Sequence, residues 1–308
     1  MIVAISPGKI ILLGEHGVVY GKPCLSIAIS LKVAVSMEKS NEYLVNNIPL
    51  DEMKHSYIKK AIDFLWNGEP LAITTFSQIP SASGLGSSAA ITTACVACLL
   101  ALKNQFSINE VAKKSFEIEY EVQRGASPND ASICSYGSAI LVWEKKDDEF
   151  MLSIGKDGKK WYVYPVKIPD VKIVVGYTGK KSKTPLQIKK IRKFVEHSSF
   201  GKELIDDIEK VVIEGKKALE KGDFVKLGEI MNENHRILHT LGASSKDIEK
   251  LIDVSIKAGA YGAKLTGAGG GGSIIALAEN TKKVADAIES KGGKAYVVSP
   301  SRGVKVWK

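Results

Sequence analysis

The chain has 308 residues, more than one domain usually holds and about right for two. With 44% hydrophobic and 25% charged residues, its composition is ordinary globular, which excludes disordered, collagen-like and heptad architectures. The formal charge of +9, from 43 Lys+Arg against 34 Asp+Glu, is compatible with a polyanionic small-molecule ligand.

Taken in chain order, strands are predicted over 1–5 and 24–36, a helix over 55–66 and a strand over 71–76. A glycine- and serine-rich turn over 81–88 opens an apolar helix, 89–102. Ser107 or Asn109 caps the next helix, which runs to about Val122. Strands follow over 138–143, 150–153 and 161–166. A second half begins near Pro169, with a buried strand over 171–177. Helices are predicted over 185–197, 203–221, 224–239 and 246–258. After them come strand 262–266, a glycine run, strand 273–277, helix 281–290 and strand 294–298. Strands and helices that mix without strict alternation indicate an α+β fold in both halves, divided as 1–168 and 169–308.

No apolar run approaches the ~20 residues of a membrane span. Met1-Ile2-Val3-Ala4-Ile5-Ser6-Pro7 lacks the basic start and apolar core of a signal peptide. The expectation is a soluble cytoplasmic protein without a membrane partner. The densest basic run, Lys180-Lys181-Ser182-Lys183 and on through Lys189-Lys190-Ile191-Arg192-Lys193, has no interleaved aromatics to stack bases, so no nucleic-acid partner is expected. Cys95-Val96-Ala97-Cys98 has redox or zinc spacing but lies within a stretch of small apolar residues and has no second such pair. It reads as buried free thiol, and the four cysteines, Cys24 and Cys134 included, are too few and too scattered for a disulfide framework. His235 and His239 are four apart without an intervening Glu in zinc-protease spacing, and read as packing or surface residues.

Three motifs carry chemistry. The first is Ser6-Pro7-Gly8-Lys9-Ile10-Ile11-Leu12-Leu13-Gly14-Glu15-His16-Gly17-Val18-Val19-Tyr20-Gly21, a buried strand flanked by ionisable residues. The second is Ile79-Pro80-Ser81-Ala82-Ser83-Gly84-Leu85-Gly86-Ser87-Ser88-Ala89-Ala90. Its glycines allow close backbone approach, and the helix it opens offers free N–H groups and the positive dipole end to phosphate. It matches neither the Walker pattern nor a full dinucleotide fingerprint. The third is Gly262-Ala263-Lys264-Leu265-Thr266-Gly267-Ala268-Gly269-Gly270-Gly271-Gly272-Ser273, either a flexible hairpin or a close backbone approach to a ligand or to the other domain.

In this order and at these separations the motifs resemble the GHMP kinase superfamily over essentially the whole chain. The first motif, with Asn234-His235-Arg236-Ile237-Leu238 and Leu241-Gly242-Ala243-Ser244, is similar to its mevalonate kinase branch. The resemblance implies a two-domain α+β fold, an N-terminal nucleotide domain like ribosomal protein S5 and a ferredoxin-like C-terminal domain. It implies ATP-dependent phosphorylation of the C5 hydroxyl of mevalonate, an early step of isoprenoid synthesis, with ATP and Mg2+ as cofactors. Pro80, Ser83, Gly84, Leu85, Gly86, Ser87, Ser88 and Ala89 match the phosphate-binding motif, and Ser88 and Glu119 match the magnesium ligands. Asp130 matches the catalytic aspartate and Lys9 the active-site lysine. Glu15, His16, Thr184, Gly267 and Ala268 fall on the substrate side. Around Asp130 relatives often have Pro-Ser-Gly-hydrophobic-Asp, and Ser127-Pro128-Asn129 departs from that order. Helical geometry turns ~100° per residue, so Glu117, Glu119 and Glu121 cannot all face one ion. Homoserine kinase, mevalonate 3-kinase or phosphomevalonate kinase activity, or a non-catalytic metabolite sensor, remain the alternatives. The oligomeric state is open, a homodimer included.

Overall fold

A computed structural model describes residues 1–182 and 184–308, without the side chains of Thr184 and Pro185. The chain starts with two long antiparallel strands, β1 (Ile2–Leu13) and β2 (Cys24–Lys39), paired along their length. β1 includes both the predicted first strand and the apolar run of the first motif, which it joins through a register shift at Pro7/Gly8. A Cβ on Gly8 would lie 2.7 Å from Ile79 Cδ1, so the strand passes there only because glycine has none. The other edge of β2 is shared. Its C-terminal part pairs with β5 (Leu71–Ser77) and its N-terminal part with β6 (Ala139–Trp143). Short strands β3 (Leu44–Val45) and β4 (Ile48–Pro49) extend the sheet beyond β5; β8 (Lys159–Val166) and β7 (Leu152–Lys156) extend it beyond β6.

Helices α1 (Ser56–Leu65), α2 (Ser87–Leu102), α3 (Ile108–Val122) and α4 (Asn129–Tyr136) cover this sheet. α2 is apolar on every side and correspondingly buried from Ala89 to Ala101 except at Ile91. Its two cysteines, with Cys24 and Cys134, are buried free thiols. Burial pushes the Cys24 and Cys98 thiols up to about 12, which leaves them protonated and unreactive.

The second half builds a four-stranded antiparallel sheet in the order β10-β11-β9-β12, from β9 (Ile173–Tyr177), β10 (Gly262–Thr266), β11 (Ser273–Leu277) and β12 (Lys294–Val298). Helices α5 (Thr184–Glu196), α6 (Ser199–Lys221), α7 (Phe224–Thr240), α8 (Lys246–Lys257) and α9 (Thr281–Ser290) accompany it. Ser198, Asp223, Ser245 and Asn280 cap α6 to α9, each side chain accepting a backbone N–H three residues on.

Three features join the halves. The final strand β13 (Lys305–Trp307) pairs with β1. α6 lies against the end of β1, where Gly215 faces Leu13 and Ile208 faces Gly17. Thr266 at the end of β10 bonds β1 twice, its hydroxyl accepting from Ile11 N (2.9 Å) and donating to Ile11 O (3.1 Å). Among the described residues, no helix is long and apolar enough to cross a membrane.

Candidate active site

The three motifs converge on one cleft of about 520 Å³, within the usual size of small-molecule sites. Lys9 and Asp130 sit at its centre, with Lys9 Nζ 2.9 Å from Asp130 Oδ2. The lysine side chain is 5% exposed and the aspartate 35%, so the pair presents its carboxylate to the cleft. Burial works to lower the Lys9 pKa, but the charge and hydrogen bond of Asp130 prevail and raise it, holding Lys9 as an ammonium. Asp130 lies in the first turn of α4, a helix that its sequence setting does not announce.

The glycine-serine loop forms one wall. Lys9 N donates to Leu85 O (2.9 Å), which ties β1 to the loop. Gly86 adopts φ 73° at the start of α2, and a Cβ there would fall 2.7 Å from Lys9 Cγ. The missing side chain therefore lets the lysine stem run beneath the loop. Of the residues matched to the phosphate-binding motif, Ser83, Gly84, Gly86, Ser87 and Ser88 line the cleft. Pro80, Leu85 and Ala89 do not. Leu85 and Ala89 bury their side chains in the core, and Pro80 gives its carbonyl to the Ser83 hydroxyl at 2.7 Å. These three support the loop rather than face the cleft.

Of the three glutamates near the C-terminal end of α3, Glu119 alone turns inward. Glu117 pairs with Lys114 and Glu121 with Lys156, while Glu119 is buried on the cleft wall. No hydrogen-bond donor reaches Glu119 among the described residues, and burial followed by the nearby Asp130 charge raises its pKa well above normal. An unpartnered buried carboxylate in the same cleft as Ser88 is what a divalent cation would satisfy, so these residues fit Mg2+. Tyr57 from α1 also lines the cleft.

Glu15 and His16 also line the cleft. Glu15 and Lys264 form a fully buried ion pair, and Lys264 also donates to Leu265 O at 2.7 Å. Burial dominates both groups, raising the Glu15 pKa and lowering that of Lys264. His16 takes a left-handed backbone (φ 63°) and meets Ala268 O through Nε2 at 3.1 Å. Burial lowers its pKa to about 4, so the imidazole is neutral. A carbonyl only accepts, so Nε2 carries the proton and Nδ1 keeps a lone pair.

Gly267 and Ala268 line the cleft, and the glycine run does approach the phosphate loop backbone to backbone. A Cβ on Gly84 would stand 2.9 Å from Thr266 O, one on Gly272 2.9 Å from Ser83 O and one on Gly269 2.0 Å from Ala243 O. Thr184, expected on the substrate wall, has its side chain outside the described residues. Sequence reasoning missed Tyr57, Arg124 and Arg192, all on the cleft wall, and Lys264 and Asn129 beside it. Tyr57 carried no signal, because a single polar residue on a helix reads as surface; Arg124 follows the end of α3, and Arg192 read as one of a solvated basic run.

Two family models match the chain: the GHMP kinases N-terminal domain over residues 56–138 and the GHMP kinases C-terminal domain over residues 216–297. The chain is 33% identical to the mevalonate kinase of Pyrococcus abyssi, over 98% of this chain and 96% of that one. The crystal structure of the Methanococcus jannaschii mevalonate kinase superposes with a TM-score of 0.79 at 26% identity, covering 98% of each chain. That of the L. major mevalonate kinase in complex with R-mevalonate superposes with a TM-score of 0.79 at 26% identity, covering 97% of this chain and 96% of the other. From its first strand to its last, then, this chain belongs to the mevalonate kinase family of the GHMP kinases.

Proposed function

We propose that the chain transfers the γ-phosphoryl group of ATP to the C5 hydroxyl of mevalonate, giving 5-phosphomevalonate and ADP. The observation that carries this reading is the Lys9–Asp130 ion pair, held under the phosphate loop at the mouth of α2. Phosphoryl transfer needs positioning and charge neutralisation more than covalent chemistry, and the cleft is furnished for both.

The N–H groups and dipole at the start of α2, with Ser87 and Ser88, would hold the phosphates. Ser88 and Glu119 would hold Mg2+, which when bound offsets charge on the phosphoryl oxygens. Asp130 would accept the proton of the attacking hydroxyl. Lys9 places positive charge beside the carboxylate and near the attacking oxygen. Glu15, His16, Gly267, Ala268 and Thr184 would form the mevalonate side. His16, neutral with a free lone pair on Nδ1, is suited to accept from a substrate hydroxyl rather than to pair with a carboxylate. In this reading residues 1–168 supply the phosphate site and the proton acceptor, and residues 169–308 close the substrate side.

The test is ADP release from Mg-ATP with mevalonate, homoserine, galactose and 5-phosphomevalonate. Turnover with mevalonate at least ~100-fold above the others is expected, since a site built around a substrate's hydroxyls rejects analogues that leave them unpaired. Preference for another member of the panel would overturn the substrate assignment.

A further inference from the structure

Asn129, which breaks the expected order of residues before the catalytic aspartate, has a defined place in the structure. Its Nδ2 donates to Asp130 Oδ1 at 2.9 Å, and its Oδ1 accepts from Ser26 Oγ at 2.9 Å. The direction of this chain is fixed by chemistry. A carboxylate carries no proton, so the amide must turn its NH2 toward Asp130. Its oxygen then faces Ser26, and the serine hydroxyl must donate.

Asn129 is 1% exposed and Ser26 fully buried. Ser26 sits inside β2, paired with Ile11 of β1 on one side and Ile140 of β6 on the other. The anchor is therefore part of the sheet rather than of a mobile loop. Asp130 is more open, and its carboxylate has two rotatable bonds by which to turn away from the cleft. Lys9 on β1 holds Oδ2, and Asn129, fastened to β2, holds Oδ1. Tethers to both oxygens, from adjacent strands, set the plane of the carboxylate.

We propose that Asn129, held by Ser26, is a positioning residue that fixes the Asp130 carboxylate toward the acceptor hydroxyl. This rests on the role given to Asp130 above. Asn129 acts through Asp130 and does not itself line the cleft, so its loss falls on kcat rather than on the KM for ATP.

The experiment measures kcat and the KM for ATP in Asn129→Leu and Ser26→Ala, each alone, together, and in an Asp130→Asn background. Circular dichroism and thermal melts report folding. Asn129→Leu is expected to lower kcat about tenfold, corresponding to about 1.4 kcal/mol, with the KM for ATP within about twofold of wild type. Ser26→Ala should lower kcat by a smaller factor and add nothing once Asn129 is Leu. In the Asp130→Asn background Asn129→Leu should leave the residual rate unchanged, because the group it positions is gone. Folded variants with wild-type kcat would overturn the proposal, as would an equal loss in the Asp130→Asn background, which marks a merely structural role. Should Asn129→Leu fail to fold, Ser26→Ala decides, since it removes one hydroxyl from the same chain. If Asp130→Asn alone keeps full activity, it is the catalytic reading of Asp130 that fails.

Discussion

His16 combines a left-handed backbone with a buried imidazole, and both features have measurable consequences. Its pKa falls from 6.5 in the unfolded chain to about 4 in the fold. Between those values the unfolded state binds more protons, so stability rises with pH through this window and is lost on acidification. The loss approaches about 3 kcal/mol near pH 4. His16→Asn suits the same backbone, because Asn tolerates φ > 0, and it removes the titration. Thermal melts from pH 7 to 4 should show wild type losing stability relative to the variant below about pH 6.5, with a constant difference above it. Parallel curves across the whole range would contradict a buried neutral His16. Single residues were unevenly legible in the sequence. Lys9, Asp130 and Ser88 match the family's motifs directly, and Glu119 matches by counting back from Asp130 without a gap; helical geometry says only that Glu117, Glu119 and Glu121 cannot all face one ion. Asn129 read as a disturbance of its motif, since its meaning lies in Ser26, 103 residues earlier in the chain.

Elements are fixed by local rules wherever the local rules are strong. The second half follows its caps and periodicity closely. The helices 224–240 and 246–257 and the strands 262–266, 273–277 and 294–298 fall almost where the sequence places them. α4 was missed because its run Asn129–Tyr136 is short and lacks an apolar period, so tertiary packing rather than propensity makes it helical. β3, β4 and β13 span only two or three residues each, too few to show alternation. The glycines of the second and third motifs are explained at this scale. They let the phosphate loop, the lysine stem and the glycine run pass at backbone contact, which a periodicity argument cannot foresee. Gly86→Ala tests the point, because its Cβ would need space held by Lys9 Cγ at 2.7 Å, and φ 73° penalises any side chain. The variant should lose about 1–2 kcal/mol of stability and at least tenfold in kcat, through displacement of Lys9. Urea unfolding and steady-state kinetics check it, and full retention of both would remove Gly86 from the account.

At the scale of the whole molecule, the two halves are stitched exactly where chemistry is expected. Thr266 bonds β1 beside Lys9, Lys264 reaches Glu15 through the interface, and Gly84 meets Gly267. Two charges buried together are costly unless both remain, since breaking such a pair strands an uncompensated charge. The cleft is thus set by contacts that close only when both halves are folded, with α6 and β13 crossing between them. The sequence showed that the motifs belong together, but not that the third motif forms the back of the second. That relation depends on residues more than 170 positions apart. Under the proposed function the Lys9–Asp130 pair activates mevalonate, and Asp130→Asn tests this most directly. The substitution keeps size and shape while removing the charge and the proton acceptor. Mevalonate-dependent ADP release should fall at least ~10³-fold, with ATP binding close to wild type and the fold retained by circular dichroism. Turnover within tenfold of wild type would contradict the account.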